Sequence, residues 1–323
     1  MNVGTQTLGR QSLQILSKQK AVVAIAVMFI AMIFTDSNFY TSANFFNLLE
    51  AVSTNAIIAF GVTFAVICKG CDLSVGSVMV LSGIVAIMLI NSGMSMPLAI
   101  VLAVLAGSAV GVINGFLIVK QKTEAFIITL GMGMLVQGVA LLLTNANPIA
   151  ATNPAFQRIA NGNWLVIPNI ALFMIILGII AFILLRFTSF GRNCYALGGD
   201  YEVAEYSGIN VIKTKWFAFV LTGTFAAIAG VLSASRMNTG LPIAGVEIPL
   251  MVNCAVVIGG TSFAGGVGGI QQSFIGVFAM FLLRNCMSML GFHPYIQQLV
   301  LGIMIVLIIS MDCYAAKRKK EDV

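Results

Sequence analysis

Acid–base and metal chemistry have little to work with in this chain. Eleven carboxylates and one histidine, His293, are spread over 323 residues, so neither a Ser-His-Asp set nor a zinc signature can be assembled. Cys68-Lys-Gly-Cys71 has the spacing of a redox or metal pair, but no second pair follows it. Cys194, Cys254, Cys286 and Cys313 are scattered and read as small apolar packers. A Gly-x-x-x-x-Gly-Lys-Ser/Thr phosphate loop is absent, and no Gly-Lys pair occurs anywhere. Catalysis by this chain is not expected, and no metal or cofactor is expected to be bound by it.

Uncharged polar groups are plentiful instead. Asn55, Thr63, Asn114, Gln137, Asn253 and Gln272 lie in or beside apolar runs, among aromatics such as Phe60, Phe64 and Phe126. Amides and hydroxyls hydrogen-bond hydroxyl groups without fixing a charge, which suits a polyhydroxylated neutral solute. They equally join neighbouring helices. The candidates for a solute path are Asn55, Phe64, Asp72, Asn114, Phe126, Gln137 and Asn253. Asp72, Glu124 and Glu247 fall at predicted span ends and Glu50 at the outer start of the second span. No carboxylate is therefore expected at mid-membrane, which counts against a proton relay.

One polar stretch stands apart from the apolar runs. Gly191 to Asn210 holds three of the eleven carboxylates. Gly198 and Gly199 are expected to break the preceding structure, Asp200 has the side chain of a helix N-cap, and Gly208 suits the left-handed residue that ends a helix. A helix of about two turns is predicted between them. Helical spacing puts Glu202, Glu205 and Tyr206 on one side and Val203, Ala204 and Ser207 on the other. Either this is a capped, solvated loop, or Gly199, Asp200, Glu202, Ala204, Glu205, Ser207 and Gly208 form a contact surface for another protein.

The elements that position these residues follow from composition. Hydrophobic residues make up 59% of the chain and charged residues 9%, with a mean hydropathy of +1.01, whereas a soluble domain carries about a quarter charged residues. This predicts an integral membrane protein without an appended soluble catalytic domain. The net charge of +6 belongs to basic residues beside apolar runs, where orientation explains them and nucleic acid does not. The run from Ala21 to Phe34 superficially resembles a signal peptide, but polar and aromatic Thr35 to Tyr40 offers no small-residue cleavage site, so it reads as a retained first span.

With about 20 apolar residues per span, candidates lie near 18–35, 50–68, 73–91, 97–119, 125–144, 168–186, 215–235, 249–261, 269–285 and 295–312. The expected fold is thus an all-α polytopic membrane protein of about ten transmembrane helices, both termini cytoplasmic. Alternating the loops places fourteen of the seventeen Lys and Arg inside, leaving only Arg158, Arg236 and Arg284 outside, the asymmetry of a cytoplasmic side. It also puts the Gly191 to Asn210 loop inside. The organisation is a cytoplasmic segment 1–20, a membrane domain 21–312 with an inner loop 186–215, and a basic tail 313–323. Glycines cluster at Gly70 to Gly76 and Gly259 to Gly269, and an offset of 190 superposes Gly70 on Gly260 and Gly76 on Gly266. An internal repeat would produce this, as would the general abundance of glycine in membrane proteins.

Several stretches together carry a family likeness: Asn55-Ala-Ile-Ile-Ala-Phe-Gly61, Cys71-Asp-Leu-Ser-Val-Gly-Ser77, Glu124-Ala-Phe-Ile-Ile-Thr-Leu130, Gly191-Arg-Asn-Cys-Tyr-Ala-Leu-Gly-Gly199, Tyr206-Ser-Gly-Ile-Asn-Val211 and Val257-Ile-Gly-Gly-Thr-Ser-Phe-Ala-Gly-Gly266. On these the chain resembles, from about residue 20 to 312, the membrane permease subunit of bacterial ribose-type simple-sugar ABC importers. It departs from the family where Lys69-Gly-Cys-Asp-Leu-Ser74 replaces the frequent Ser-Gly-Ile-Asp-Leu-Ser, and Tyr201 to Tyr206 is its own variant. The resemblance implies a bacterial inner-membrane permease working with an extracytoplasmic sugar-binding protein, a second permease copy or homologue, and a cytoplasmic ABC ATPase that carries ATP and Mg. It implies that the 186–215 loop holds the helix that docks in the ATPase. The alternative is a stand-alone secondary carrier or facilitator for a neutral polar solute.

Overall fold

The computed structural model describes residues 20–35, 37–164 and 167–321. The expected cytoplasmic segment 1–20, apart from Lys20, and the last two residues of the basic tail lie outside the described residues. The chain is all-α: α1 (Lys20–Ile33), a 3-10 turn (Ser37–Tyr40), α2 (Ser42–Ile67), α3 (Val75–Asn91), α4 (Met96–Gln121), α5 (Ala125–Thr144), α6 (Pro154–Asn161), α7 (Asn169–Phe187), α8 (Ser189–Gly199), α9 (Tyr201–Tyr206), α10 (Val211–Met237), α11 (Ile248–Ile258), α12 (Ile270–Met289) and α13 (Pro294–Glu321). Two antiparallel ladders of two-residue strands tie down loops: β1 (Ile149–Ala150) with β4 (Thr239–Gly240), and β2 (Asn163–Trp164) with β3 (Ile167–Pro168).

All ten expected apolar segments are helical. Five of the helices, α2, α4, α5, α7 and α10, are long and apolar enough to cross a membrane. The others do not meet that measure: α3 has 17 residues and α11 only 11, which at about 1.5 Å per residue is short of a hydrocarbon core of about 30 Å. Backbone polar groups in lipid must be satisfied within the element or by protein, so breaks such as the one before α3 occur where protein covers them.

Burial sorts the long helices into two kinds. Most of α2 and α10 is enclosed, while α4, α5 and α7 leave most of their surface uncovered, with Met134, Leu142 and Phe187 among the exposed apolar residues. Apolar groups facing outward are what a lipid solvent permits. The central helix α10 packs on α2, α3 and α4, and its seam with α4 is made by small residues. A Cβ added at Gly111 would stand 2.5 Å from the Phe219 carbonyl oxygen, and one at Gly223 would stand 2.8 Å from the Gly111 Cα. Such contact of backbones supplies the dispersion that drives helix association where no hydrophobic effect operates. Thr222 Oγ1 donates to the Gly61 carbonyl at 3.1 Å, which fixes α10 against α2 on the other side.

The two glycine-rich stretches are both helix breaks. Lys69 (φ 55°) turns the chain out of α2, and Gly260 (φ 113°) turns it out of α11. The two breaks meet, because the Gly266 N–H donates to the Ile67 carbonyl at 3.0 Å.

Candidate functional site

The α8–α9 loop is built from its caps. Thr188 Oγ1 accepts from the Gly191 N–H at 3.3 Å and starts α8. Asp200, extended at φ −147° and ψ 121°, separates α8 from α9, and its Oδ1 accepts from the N–H groups of Glu202 (2.9 Å) and Val203 (3.1 Å). At the other end Gly208 has φ +80°. The Gly208 N–H donates to Glu205 O and the Ile209 N–H to Ala204 O, at 3.0 and 3.1 Å. This pair of bonds around a left-handed glycine is the Schellman arrangement, so a helix of six residues is closed at both ends.

Two sequence expectations need correction. Gly198 and Gly199 do not break the chain ahead of Asp200; they are the last turn of α8. The smallness of Gly198 serves tertiary contact, since a Cβ there would stand 1.8 Å from Ile67 O and 2.3 Å from Gly266 N, whereas one at Gly199 would meet nothing within 4 Å. The two-sided division of α9 is also different. Only Ala204 is covered, at 3% exposed, whereas Val203 (61%) and Tyr206 (89%) are exposed together with Glu202, Glu205 and Ser207. A helix of only six residues rests on its support along one line, and position 204 occupies it.

Through α8 the loop is anchored to both glycine breaks. Lys69 Nζ donates to the Gly199 carbonyl at 3.3 Å, and Tyr195 Oη donates to the Gly268 carbonyl at 2.8 Å. With Gly198 wedged between them, α8 cannot move without shifting the end of α2 or the 259–269 segment.

Deeper in the fold, Asp72, Asn114 and Asn253 come together around the non-helical residues 71–74. Asp72 Oδ1 accepts from the Ser74 N–H (2.8 Å) and Ser74 Oγ (2.6 Å), and Asn114 Nδ2 donates to Ser74 Oγ at 2.9 Å. Asn253 Nδ2 donates to the carbonyls of Asp72 (3.0 Å) and Pro249 (2.8 Å), and Thr129 Oγ1 accepts from the Leu73 N–H at 3.1 Å. Side chains of α4, α5 and α11 thus satisfy a helix-less stretch. Asp72, just ahead of α3, is wholly buried, and Asp72 Oδ2 and Asn114 Oδ1 are buried without a partner. Ser74 and Thr129 were not singled out from sequence, because a lone hydroxyl in an apolar run carries no spacing signal.

Asn55 lies elsewhere, on a cavity of about 420 Å³ bounded by α2, α10, α12 and α13. Asn47, Thr54, Ser233, Asn285 and Gln297 share its wall with Arg236 and Arg284. The arginines face Glu50 at 3.7 Å and Glu247 at 3.9 Å, so the charges compensate and the remaining polar groups are amides and hydroxyls. Asn55 Nδ2 donates to Ala51 O at 3.0 Å, leaving Oδ1 without a partner. A space lined this way can exchange hydrogen bonds with several hydroxyl groups of an uncharged molecule.

The other three path candidates are not brought to either place. Phe64 is fully buried in the core with its ring 5.8 Å from that of Phe190. Phe126 is 51% exposed on α5. Gln137 Nε2 donates to the Pro242 carbonyl and ties α5 to the connection before α11.

Comparison with known proteins accords with this geometry. Residues 44–309 match the family described as branched-chain amino acid transport system / permease component. The ribose import permease protein RbsC of Escherichia coli K12 is 36% identical over 304 residues, covering 92% of this chain and 94% of its own. RbsC of Bacillus subtilis 168 is 37% identical over 300 residues, 92% and 93% of the two chains, and the L-arabinose transport system permease protein AraH of Escherichia coli K12 is 34% identical over 299 residues, 93% and 91%. No solved structure matches. The chain therefore belongs to this family of transport-system permeases, membrane transport components and not enzymes.

Proposed function

We propose that the chain is the permease subunit of an ATP-driven importer in the bacterial inner membrane, moving a pentose, hexose or related neutral polyol delivered by an extracytoplasmic binding protein. The observation that carries this reading is the α8–α9 unit. A doubly capped helix displays Glu202, Val203, Glu205 and Tyr206 outward, and its support is wedged against both helix breaks. A displacement imposed on α9 by a closing ATPase would pass to the ends of α2 and α11 without an intervening flexible linker. With no phosphate loop in this sequence, the ATP-driven reading assigns nucleotide binding to a partner. Ribose and arabinose in the names of the relatives support the solute class, and so does the charge-compensated cavity at Asn55. The helices α1, α3, α11, α12 and α13 would complete about ten spans, with a second permease copy or homologue beside them, the α8–α9 unit and both termini inside.

The test is uptake into proteoliposomes holding this permease with its ATPase and binding protein. Labelled pentose should accumulate only with internal ATP, and Glu202→Lys should cut uptake about tenfold by placing a cation where the partner expects an anion, with ATP hydrolysis persisting. Accumulation by the permease alone under a proton or sodium gradient would overturn the proposal in favour of a secondary carrier.

A further inference from the structure

A second polar cavity, of about 370 Å³, lies behind α9, between the 122–124 connection and the start of α10. Part of its wall is apolar, from Ile118, Val211 and Ile212. The rest carries Lys122, Glu124, Glu205 and Lys215. These two cations and two anions face one space, yet none closes on another. Among the described residues the ion pairs within 4.0 Å are Arg236–Glu50 and Arg284–Glu247, both at the other cavity. Lys122, Glu124 and Glu205 are exposed at the mouth of this space and Lys215 is half-buried, so both signs of charge are open to a ligand that carries both. The surroundings are apolar: Ile212 is 54% exposed, and Phe126 and Ile127 at the start of α5 are 51% and 57% exposed.

We propose that this cavity holds the headgroup of a phosphoethanolamine phospholipid. Its phosphate would bridge Lys122 and Lys215, its ammonium would donate to Glu124 and Glu205, and its acyl chains would leave along Ile212 and Phe126. Equal numbers of lysine and glutamate select against an anionic headgroup, which would leave both carboxylates facing negative charge. They select against a choline headgroup too, because its trimethylated nitrogen has no N–H to donate. The apolar part of the wall favours a lipid over a free phosphate ester. Tyr201 and Glu205 of α9 belong to the wall, so a bound headgroup would fix the spacing between α9 and the 122–124 connection; this last consequence rests on the transport reading above, and the binding itself does not.

Native mass spectrometry of the purified full-length chain, incubated with phosphatidylethanolamine, phosphatidylcholine or phosphatidylglycerol, reads the binding directly and needs neither ATPase nor sugar. Retention of phosphatidylethanolamine should exceed that of phosphatidylcholine about tenfold or more, the scale of at least one net charge-assisted hydrogen bond. Lys122→Gln with Lys215→Gln should abolish the preference, Lys122→Arg with Lys215→Arg should keep it, and Lys213→Gln, exposed and outside the wall, should leave it unchanged. Equal retention of the ethanolamine and choline lipids by the unaltered chain would overturn the proposal, and that comparison stands even where a variant fails to fold. A preference for phosphatidylglycerol would overturn it as well, and so would equal displacement by soluble phosphoethanolamine, which would mark a site for a free metabolite. Failed transport with intact lipid preference would instead count against the importer reading.

Discussion

At the scale of the residue, the same amide chemistry serves two ends. Asn114 and Asn253 spend their Nδ2 groups on the 71–74 stretch, the helix-joining role amides have in membranes. Asn55 lines a cavity and spends its Nδ2 only within its own helix, on Ala51 O. Replacement by leucine should separate the roles. Asn114→Leu leaves Ser74 Oγ without its buried donor and should destabilise the protein by about 1–3 kcal/mol, seen as a lower melting temperature in detergent. Asn55→Leu should leave melting nearly unchanged and lower pentose uptake several-fold; unchanged uptake would return Asn55 to packing. Sequence identified the amides as candidates but could not divide them in this way. Nor does sequence separate Phe64, buried in the core, from Phe126, exposed on α5, since a helix with apolar core on one side and apolar lipid on the other shows no contrast by which to tell them apart.

At the scale of the element, local chemistry was legible and tertiary chemistry was not. The Asp200 cap and the Gly208 stop act through their own neighbours, so α9 could be drawn from sequence almost to its ends. Gly198 and Gly199 look like breakers by the same local rules, yet they sit inside α8, because the pressure on Gly198 comes from Ile67 and Gly266, residues far away in sequence. Gly208→Pro tests the part that was legible. Proline cannot take φ +80° and has no N–H for Glu205 O, so the Schellman closure is lost and the exposed face of α9 loses its orientation. Uptake should fall at least tenfold while the protein still inserts and the ATPase still turns over. Gly208→Ala keeps the N–H and suffers only the cost of the left-handed conformation, about 1 kcal/mol, and should retain most uptake. Equal loss in both variants would mean that the loop, and not the closed helix, makes the contact.

For the whole molecule, the ten helical segments follow from hydropathy alone, but their arrangement does not. Composition only hints that α2 and α10 are enclosed while α4, α5 and α7 face outward, the enclosed pair being the less hydropathic of the five, and it does not say what holds them together. The structure assigns that order to small residues, and glycines at different positions should answer very differently to one substitution. At Gly111 the first added carbon already meets the backbone of Phe219 and Gly223, whereas at Gly131 on α5 nothing lies within 4 Å. Backbone cannot rotate aside as a side chain can, so Gly111→Leu must separate α4 from α10 over the length of their seam. The cost should reach or exceed the roughly 1–3 kcal/mol of ordinary overpacking. Gly131→Leu should instead be neutral or slightly stabilising, since it replaces a poor helix former by a good one on an open face. Thermal unfolding in detergent, followed by size-exclusion chromatography, distinguishes the two. Equal tolerance at both sites would show that the α4–α10 seam is not what holds the bundle together.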